Sequence, residues 1–415
     1  MGKPGFIQRR GSHFTRDGRL HFFAGANFPQ AMHLAMAEPP GDRLRLAREL
    51  DTLRDIGVQN LRIMAASEGP DSEPFRLTPA LLAEPGSYNP TVLDGLDYLV
   101  SEIARRGMHA VMCLGNFWHW SGGMAQYVSW ATGDPIPYPS PDSADPDGFA
   151  AFARFASRFY SNNMARRRHA DHVAEIVARV NPCTGRAYRD EPAVFSWELA
   201  NEPRGVDSGP EMKAWIDKTA ALIKSIDPNH MVATGSEGEA PGAGNDFIRD
   251  HSGPDIDYTT IHIWPQNWRW FDPAAPEKTL NSTLDKASIF FDTHAARAED
   301  PLDKPLVVEE FGMPRDLGPR GDIHDPASPT SLRDAFYTFL LGKVHESAAG
   351  GGPAVGANFW AWSGQAKPGA GMVGDPPHER PGWYSVYASD ESTTSAVAAF
   401  ADEMRELSGG HGRVR

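Results

Sequence analysis

Only two cysteines, Cys113 and Cys183, stand among 415 residues. One sits in an apolar run and the other in a Pro- and Gly-flanked loop. That pattern builds no disulfide framework and points to no nucleophilic thiol, and both cysteines read as buried structural residues. Cationic charge is also scarce. Forty Lys and Arg face 54 Asp and Glu, a net charge of -14, which argues against nucleic acid and anionic membranes as partners. No apolar run reaches the length of a membrane span. The first twenty residues carry Lys3, Arg9, Arg10, Arg16 and Arg19 with no apolar core between them, so they do not read as a signal peptide. There is no internal repeat, and no linker long enough to separate two domains.

Several local signals fall short of the chemistry they suggest. Ser236 in Thr234-Gly235-Ser236-Glu237-Gly238 lacks the glycine two places earlier that a nucleophile elbow needs. The glycine-rich run 238–244 has no following Lys-Ser/Thr, so it is no phosphate loop. His169, Asp171 and His172 follow three arginines and read as an exposed helix start rather than a metal site. Asn281-Ser282-Thr283 is a sequon that has meaning only in a eukaryotic secretory host.

What is present is an alternation of strand and helix patterns. Strand-like apolar runs occur at 21–28, 58–64, 109–114, 193–197, 231–235, 258–264, 305–312 and 354–360. Helical periodicity fills 43–55, 91–106, 148–160, 171–180, 211–226, 283–298, 331–346 and 394–407, with Gly57 and Gly107 ending the first two helices. Eight strands separated by helices predict one parallel (β/α)₈ TIM barrel spanning 1–415. The long segments 64–91, 117–147, 265–283 and 363–392 each follow a strand. They are therefore expected on the catalytic face, as walls of a substrate cleft. Eleven Trp and ten Tyr are mostly core material, with enough left to stack on the apolar faces of a ligand.

The chain is organised around Trp197-Glu198-Leu199-Ala200-Asn201-Glu202-Pro203-Arg204. A buried strand runs into this stretch and must stop at or before Pro203, which cannot continue a ladder. That places Glu202 at the carboxyl end of a barrel strand, where catalytic groups stand. The seventh strand supplies Glu309 and Glu310, whose side chains alternate, so one of them faces the mouth. Two carboxylates about 5–5.5 Å apart are what retaining glycoside hydrolysis needs, with no metal and no cofactor. Glu198 and Glu309 read as buried structural carboxylates, with Arg62, a charge inside a strand, as their partner.

Ala200-Asn201-Glu202-Pro203 and Val308-Glu309-Glu310-Phe311-Gly312 resemble the two signature motifs of glycoside hydrolase family 5, in clan A. Further stretches resemble its bacterial β-mannanases: Tyr88-Asn89-Pro90, Gly95-Leu96-Asp97-Tyr98, 122–128, Trp197 to Arg204, 234–238, His262 to Trp268, 358–362 and 382–387. The resemblance runs from the first strand to the last helix. It implies that Glu202 is the acid/base and Glu310 the nucleophile. It implies that Asn201 bonds a sugar 2-hydroxyl, that Arg62 orients Glu310, that His262 is the strand-six histidine, and that Trp360 is the platform under the cleaved sugar. Arg204, Glu237, Trp118 and Trp268 become candidates for flanking subsites. One position departs: where many members carry a Tyr that contacts the nucleophile, this chain has Trp264. An indole donates one hydrogen bond and accepts none, so Trp264 is expected only beside the site.

The implied activity is cleavage of β-1,4-mannosidic bonds in mannan or manno-oligosaccharides by an endo-mannanase, with that substrate as the one expected partner and the chain itself a monomer. The alternatives are an exo-acting β-mannosidase or mannobiohydrolase, if segment 363–392 blocks one end of the cleft, then a β-1,4-glucanase, and last a non-catalytic glycan-binding protein. A polymeric substrate implies a secreted or periplasmic place, and the missing signal peptide leaves a cytoplasmic one open.

Overall fold

The computed structural model describes residues 5–139, 146–366 and 372–410. Parts of two long segments, 140–145 and 367–371, lie outside them. Eight parallel strands form one sheet: β1 (Phe23–Asn27), β2 (Asn60–Met64), β3 (His109–Cys113), β4 (Val194–Glu198), β5 (Met231–Ala233), β6 (Thr259–Ile263), β7 (Leu306–Phe311) and β8 (Ala354–Phe359). The order is β5-β4-β3-β2-β1-β8-β7-β6, and a parallel bridge between Ala233 and Tyr258 closes β5 onto β6. Every residue of these strands is buried. The sheet is a (β/α)₈ barrel, with each strand within two residues of the run that predicted it.

The helices that wrap it are α1 (Arg43–Asp55), α2 (Pro90–Arg105), α3 (Asn163–Val177), α4 (Gly209–Ile226), α5 (Phe247–His251), α6 (Pro276–Glu299), α7 (Ser331–Ala349) and α8 (Glu391–Gly410). Their starts follow local chemistry. The Asp42 carboxylate accepts from the Arg45 amide, the Asn162 side chain accepts from the amides of Met164 and Ala165, and Asn89 caps α2 just ahead of Pro90. The helix predicted from 171 begins eight residues earlier because of the Asn162 cap. His169 and His172 therefore lie inside α3 and are buried against the barrel, which corrects the expectation of an exposed helix start. Cys113 is buried as expected, but Cys183 is exposed, since its loop lies outside the helix layer.

An antiparallel ribbon over Ile7–Arg10, His13–Arg16 and Arg19–Leu20 precedes the barrel and has no counterpart in the predicted elements. Its strands are too short for periodicity to register. Phe14 from this ribbon is fully buried, with ring centroids 6.4 Å from Phe23, 5.1 Å from Phe195 and 5.4 Å from Tyr258. Those three rings belong to or adjoin the amino ends of β1, β4 and β6, so the ribbon plugs the barrel end opposite the catalytic face. Gly25 on β1 leaves room inside the barrel: a Cβ there would fall 1.8 Å from the Asn358 side-chain oxygen.

Phe14→Ala should lower stability by about 3–5 kcal/mol, the range for truncating a buried aromatic. The drop in the denaturant midpoint measures it, and an unchanged midpoint would show that the ribbon does not brace the barrel.

Candidate active site

The site is built on Arg62 of β2, which is 4% exposed. Its Nε and Nη2 donate to Glu198 at 2.7 and 2.6 Å, a bidentate pair, and Nη2 also donates to Asn201 Oδ1 at 2.7 Å. Its Nη1 donates to Asn27 Oδ1 at 3.0 Å and to Glu310 Oε1. One guanidinium thus ties β1, β2, β4 and β7 together at the base of the mouth. The arrangement bears out Glu198 as an interior partner of Arg62.

Two departures from regular strand geometry shape the carboxylates. Strand β4 ends at Glu198, earlier than Pro203 alone requires, and Asn201 then forms only a bridge to Asn116. Glu202 follows with φ 48°, in the left-handed region, its amide donating to the Gly235 carbonyl at 2.9 Å. A non-glycine residue held there costs about 1–3 kcal/mol, and the surrounding bonds hold it. Between β6 and β7 the register shifts after Ile261, so that His262 pairs with Glu310 and Glu309 of β7 has no partner on β6. The shift overturns simple alternation. Glu309 does not turn away from the barrel; its Oε2 lies 3.7 Å from His262 Nε2 and 3.8 Å from Arg62 Nε.

His262 stands between the two carboxylates that face the cleft. Its Nδ1 is 2.7 Å from Glu202 Oε1 and 3.2 Å from Glu310 Oε2. One ligand atom from each of Glu202, His262 and Glu310 falls within 4.8 Å of the others. That set has the donors for a divalent cation, but Arg62 beside Glu310 and a proton between His262 and Glu202 already meet its negative charge. Burial opposes charge on His262, yet the charge of Glu310, the hydrogen bond to Glu202 and the nearby carboxylate of Glu309 raise its pKa well above the usual histidine value. Burial likewise pushes Glu202 up, but the hydrogen bond and charge of His262, the charge of Arg204 and the indole of Trp118 outweigh it and hold Glu202 at about 2. The 2.7 Å contact between His262 Nδ1 and Glu202 Oε1 holds one proton between the two groups. Glu309 is pushed up to about 7 by burial and by the charge of Glu198.

The cleft above has a volume of about 480 Å³. Trp118 closes one side: its Nε1 donates to Glu202 Oε2 at 2.5 Å, its ring lies near-parallel to Phe152, and the Arg204 guanidinium sits 4.7 Å above it. Arg204 pairs with Glu237 at 2.5 and 3.0 Å. Burial pushes Glu237 up to about 7, against the pull of Arg204. Trp360 and Trp264 form another wall, 5.9 Å between centroids, and Trp264 packs 4.8 Å from Tyr384. Gly312 allows this, since a Cβ there would fall 2.5 Å from the Trp264 ring. Trp268 lines the far side. All the residues singled out from the sequence therefore gather around one cleft: Arg62 and His262 beneath it, the others on its surface. Trp264 lines the cleft itself, and among its contacts is Trp360 rather than the nucleophile.

The sequence pattern of glycoside hydrolase family 5 beta-mannosidase-like proteins matches residues 4–408. The chain belongs to this family. Among its relatives, mannan endo-1,4-beta-mannosidase 1 of Oryza sativa subsp. japonica is 30% identical over 100% of this chain and 89% of its own. The glycoside hydrolase family 5 mannosidase of Rhizomucor miehei superposes with a TM-score of 0.91 at 36% identity, over 98% of this chain and 99% of that one. A variant of that fungal enzyme has been solved with mannosyl-fructose. The endo-1,4-beta-mannanase of the same fungus superposes with a TM-score of 0.69 at 25% identity, over 97% and 99% of the two chains.

Residues that sequence reasoning left without a role also line this family 5 cleft: His119, Asn267, His378, Glu379, Trp383 and Tyr384. Tyr384 donates to Asn267 Oδ1, and Trp383 Nε1 to Gln266 Oε1 at 2.8 Å, tying the segment after β8 to the one after β6. No periodicity marks such loop residues. Asn267, Trp383 and Tyr384 lie in stretches that resemble the β-mannanases, while His119, His378 and Glu379 had only their position in long segments following strands.

Arg62→Met should destabilise the fold by about 3–5 kcal/mol, because it strands Glu198 without its counter-charge. Denaturant unfolding reads this, and a loss below about 1 kcal/mol would show that Arg62 is not the strut of the mouth.

Proposed function

We propose that this chain hydrolyses β-1,4-mannosidic bonds in mannan and manno-oligosaccharides with retention of configuration, cutting within the chain. The observation that carries the reading is the separation of the two carboxylates. Oxygens of Glu202 and Glu310 lie within 4.8 Å, near the spacing of retaining enzymes and short of the roughly 6.5–9.5 Å that inverting ones use.

In the reaction, Glu310 attacks the anomeric carbon as Glu202 gives its proton to the leaving oxygen; the carbon–oxygen glycosidic bond breaks and a Glu310 ester forms. Glu202, now a base, takes a proton from water, whose oxygen replaces Glu310 at the same carbon. Arg62 donates to Glu310 Oε1 and holds that carboxylate in place for attack. Glu202 needs its proton first, and the 2.7 Å bond to His262 is the path by which it arrives. A sugar seated in the cleft removes water from around Glu202, which favours the protonated carboxyl.

A second reading, release of sugars from a chain end, is favoured by one observation. The segment after β8 reaches the segment after β3, where the His378 and His119 rings lie 4.9 Å apart, so the groove does not run out freely on that side.

Glu310→Gln should abolish sugar release from mannohexaose. Glu202→Ala should lower it about 10²–10⁴-fold, the span of general acid catalysis. Azide should restore the Glu202→Ala variant on an aryl β-mannoside and yield a β-mannosyl azide. Equal release by wild type and Glu310→Gln would remove the catalytic assignment. Turnover of cello-oligosaccharides but not manno-oligosaccharides would replace mannan with glucan. Mannose as the main product from the earliest times would select the chain-end reading.

A further inference from the structure

One carboxyl in the cleft takes no part in the reaction and, among the described residues, has no Lys or Arg ion pair. Glu379 lies in the segment after β8, its side chain 13% exposed, and its Oε2 is buried without a hydrogen-bond partner. Beside it, His378 Nδ1 is also unpartnered, and so are both ring nitrogens of His119, which is fully buried. These three side chains line the same cavity as Glu202 and Glu310. The nearest approach between Glu379 and His378, Oε1 to Nε2 at 3.8 Å, is too long for a hydrogen bond.

Buried polar groups are nearly always satisfied, and several unpaired ones at one place in a cleft mark where a ligand's polar groups go. Among the described residues, the neighbouring cations are engaged elsewhere. Arg380 turns away to Asp322, at 2.6 Å, and Arg333 is bonded to the Met313 and Ser385 carbonyls. Burial raises the Glu379 pKa well above the usual carboxylate range, and the charges of Asp375, Glu202 and Glu310 add to it. The shift favours the protonated carboxyl, which can both donate and accept. Burial similarly lowers His119 to about 2 and His378 to about 4, leaving neutral imidazoles with one donor and one acceptor each. Neutral two-way groups suit sugar hydroxyls, which donate and accept at once.

The wall is held rigidly. Asp375 accepts from the Gly382 amide at 2.7 Å, the Tyr384 amide at 2.8 Å and the Ser385 hydroxyl, pinning both flanks of 378–380. The Arg76 guanidinium holds the His119 carbonyl at 2.7 Å from the other side.

We propose that Glu379, with His378 and His119, is a hydroxyl-reading clamp that binds a sugar unit of the mannan chain where the segments after β3 and β8 meet, and so fixes how the substrate is placed over Glu202 and Glu310. The proposal rests on the mannosidic reading of the cleft. Glu379 is a specificity-determining residue rather than a proton donor to the scissile bond.

The test compares Glu379→Ala, Glu379→Gln and His378→Ala with wild type on mannotetraose. Each is also treated with 2-deoxy-2-fluoro-β-mannosyl fluoride, which reports by mass whether the nucleophile still forms its ester. Glu379→Ala should lower kcat/KM about 10- to 100-fold, mostly through KM, as expected for lost hydrogen bonds in a buried site. Glu379→Gln, whose amide also donates and accepts, should recover most of it. Ester formation should remain stoichiometric in all three. A Glu379→Ala enzyme that labels fully and keeps wild-type KM would overturn the clamp, as would Glu379→Gln no better than Ala. If Glu379→Ala fails to fold, His378→Ala decides, with a KM rise of about 5-fold or more expected and an unchanged KM overturning the proposal. Wild type inert on mannotetraose would instead sink the mannosidic reading itself.

Discussion

The buried guanidinium of Arg62 is the interaction on which the mouth of this barrel depends. Four carboxyl groups, Glu198, Glu202, Glu309 and Glu310, converge on a space shared with one guanidinium and one imidazole. Desolvated like charges repel strongly at such range, so the group is stable only if each negative charge has a counterpart or a proton. Arg62 satisfies Glu198 and Glu310, and His262 satisfies Glu202. Glu309, the one left over, is pushed toward neutrality. This distribution sets an anionic Glu310 site against Arg62 and puts a proton source, His262, beside Glu202.

Backbone irregularity makes that distribution possible. A regular β7 would send Glu309 to the outside, and a β4 continued to Pro203 would carry Glu202 further along the barrel axis. The register shift at Glu309 and the left-handed turn at Glu202 bring four carboxyls to one level. Both features sit next to the reacting groups, as bulges and unusual φ values often do. The cost is spread through the network: the Glu202 amide bonds Gly235, the Asn201 amide bonds Gly115, and Asn27 Nδ2 takes the Glu309 carbonyl that the ladder leaves free.

Much of this was legible in the chain because barrel strands are buried on both faces and read as continuous apolar runs, while their helices carry a clear stripe. Glu202 was legible because it follows such a run, and the Glu309-Glu310 pair because it lies near the carboxyl end of one. His169 and His172 were misread because an arginine-rich helix start looks solvated until the cap at Asn162 is seen. The ribbon bearing Phe14 was missed because four-residue strands in a polar stretch carry no usable period.

The sequence by itself determined the barrel, Glu202 at one strand end, a glutamate pair on the seventh strand and the aromatic supply of the cleft, since these rest on local periodicity and strand ends; Glu310 rather than Glu309 came from the resemblance to family 5. Only the tertiary structure decided that Glu309 shares the interior with Glu310, that His262 bridges the reacting pair, and that Glu379 joins the cleft. Each depends on a contact across tens to hundreds of positions, set by a register shift or by a loop folded over the mouth. Such contacts leave no periodic trace in the order of residues.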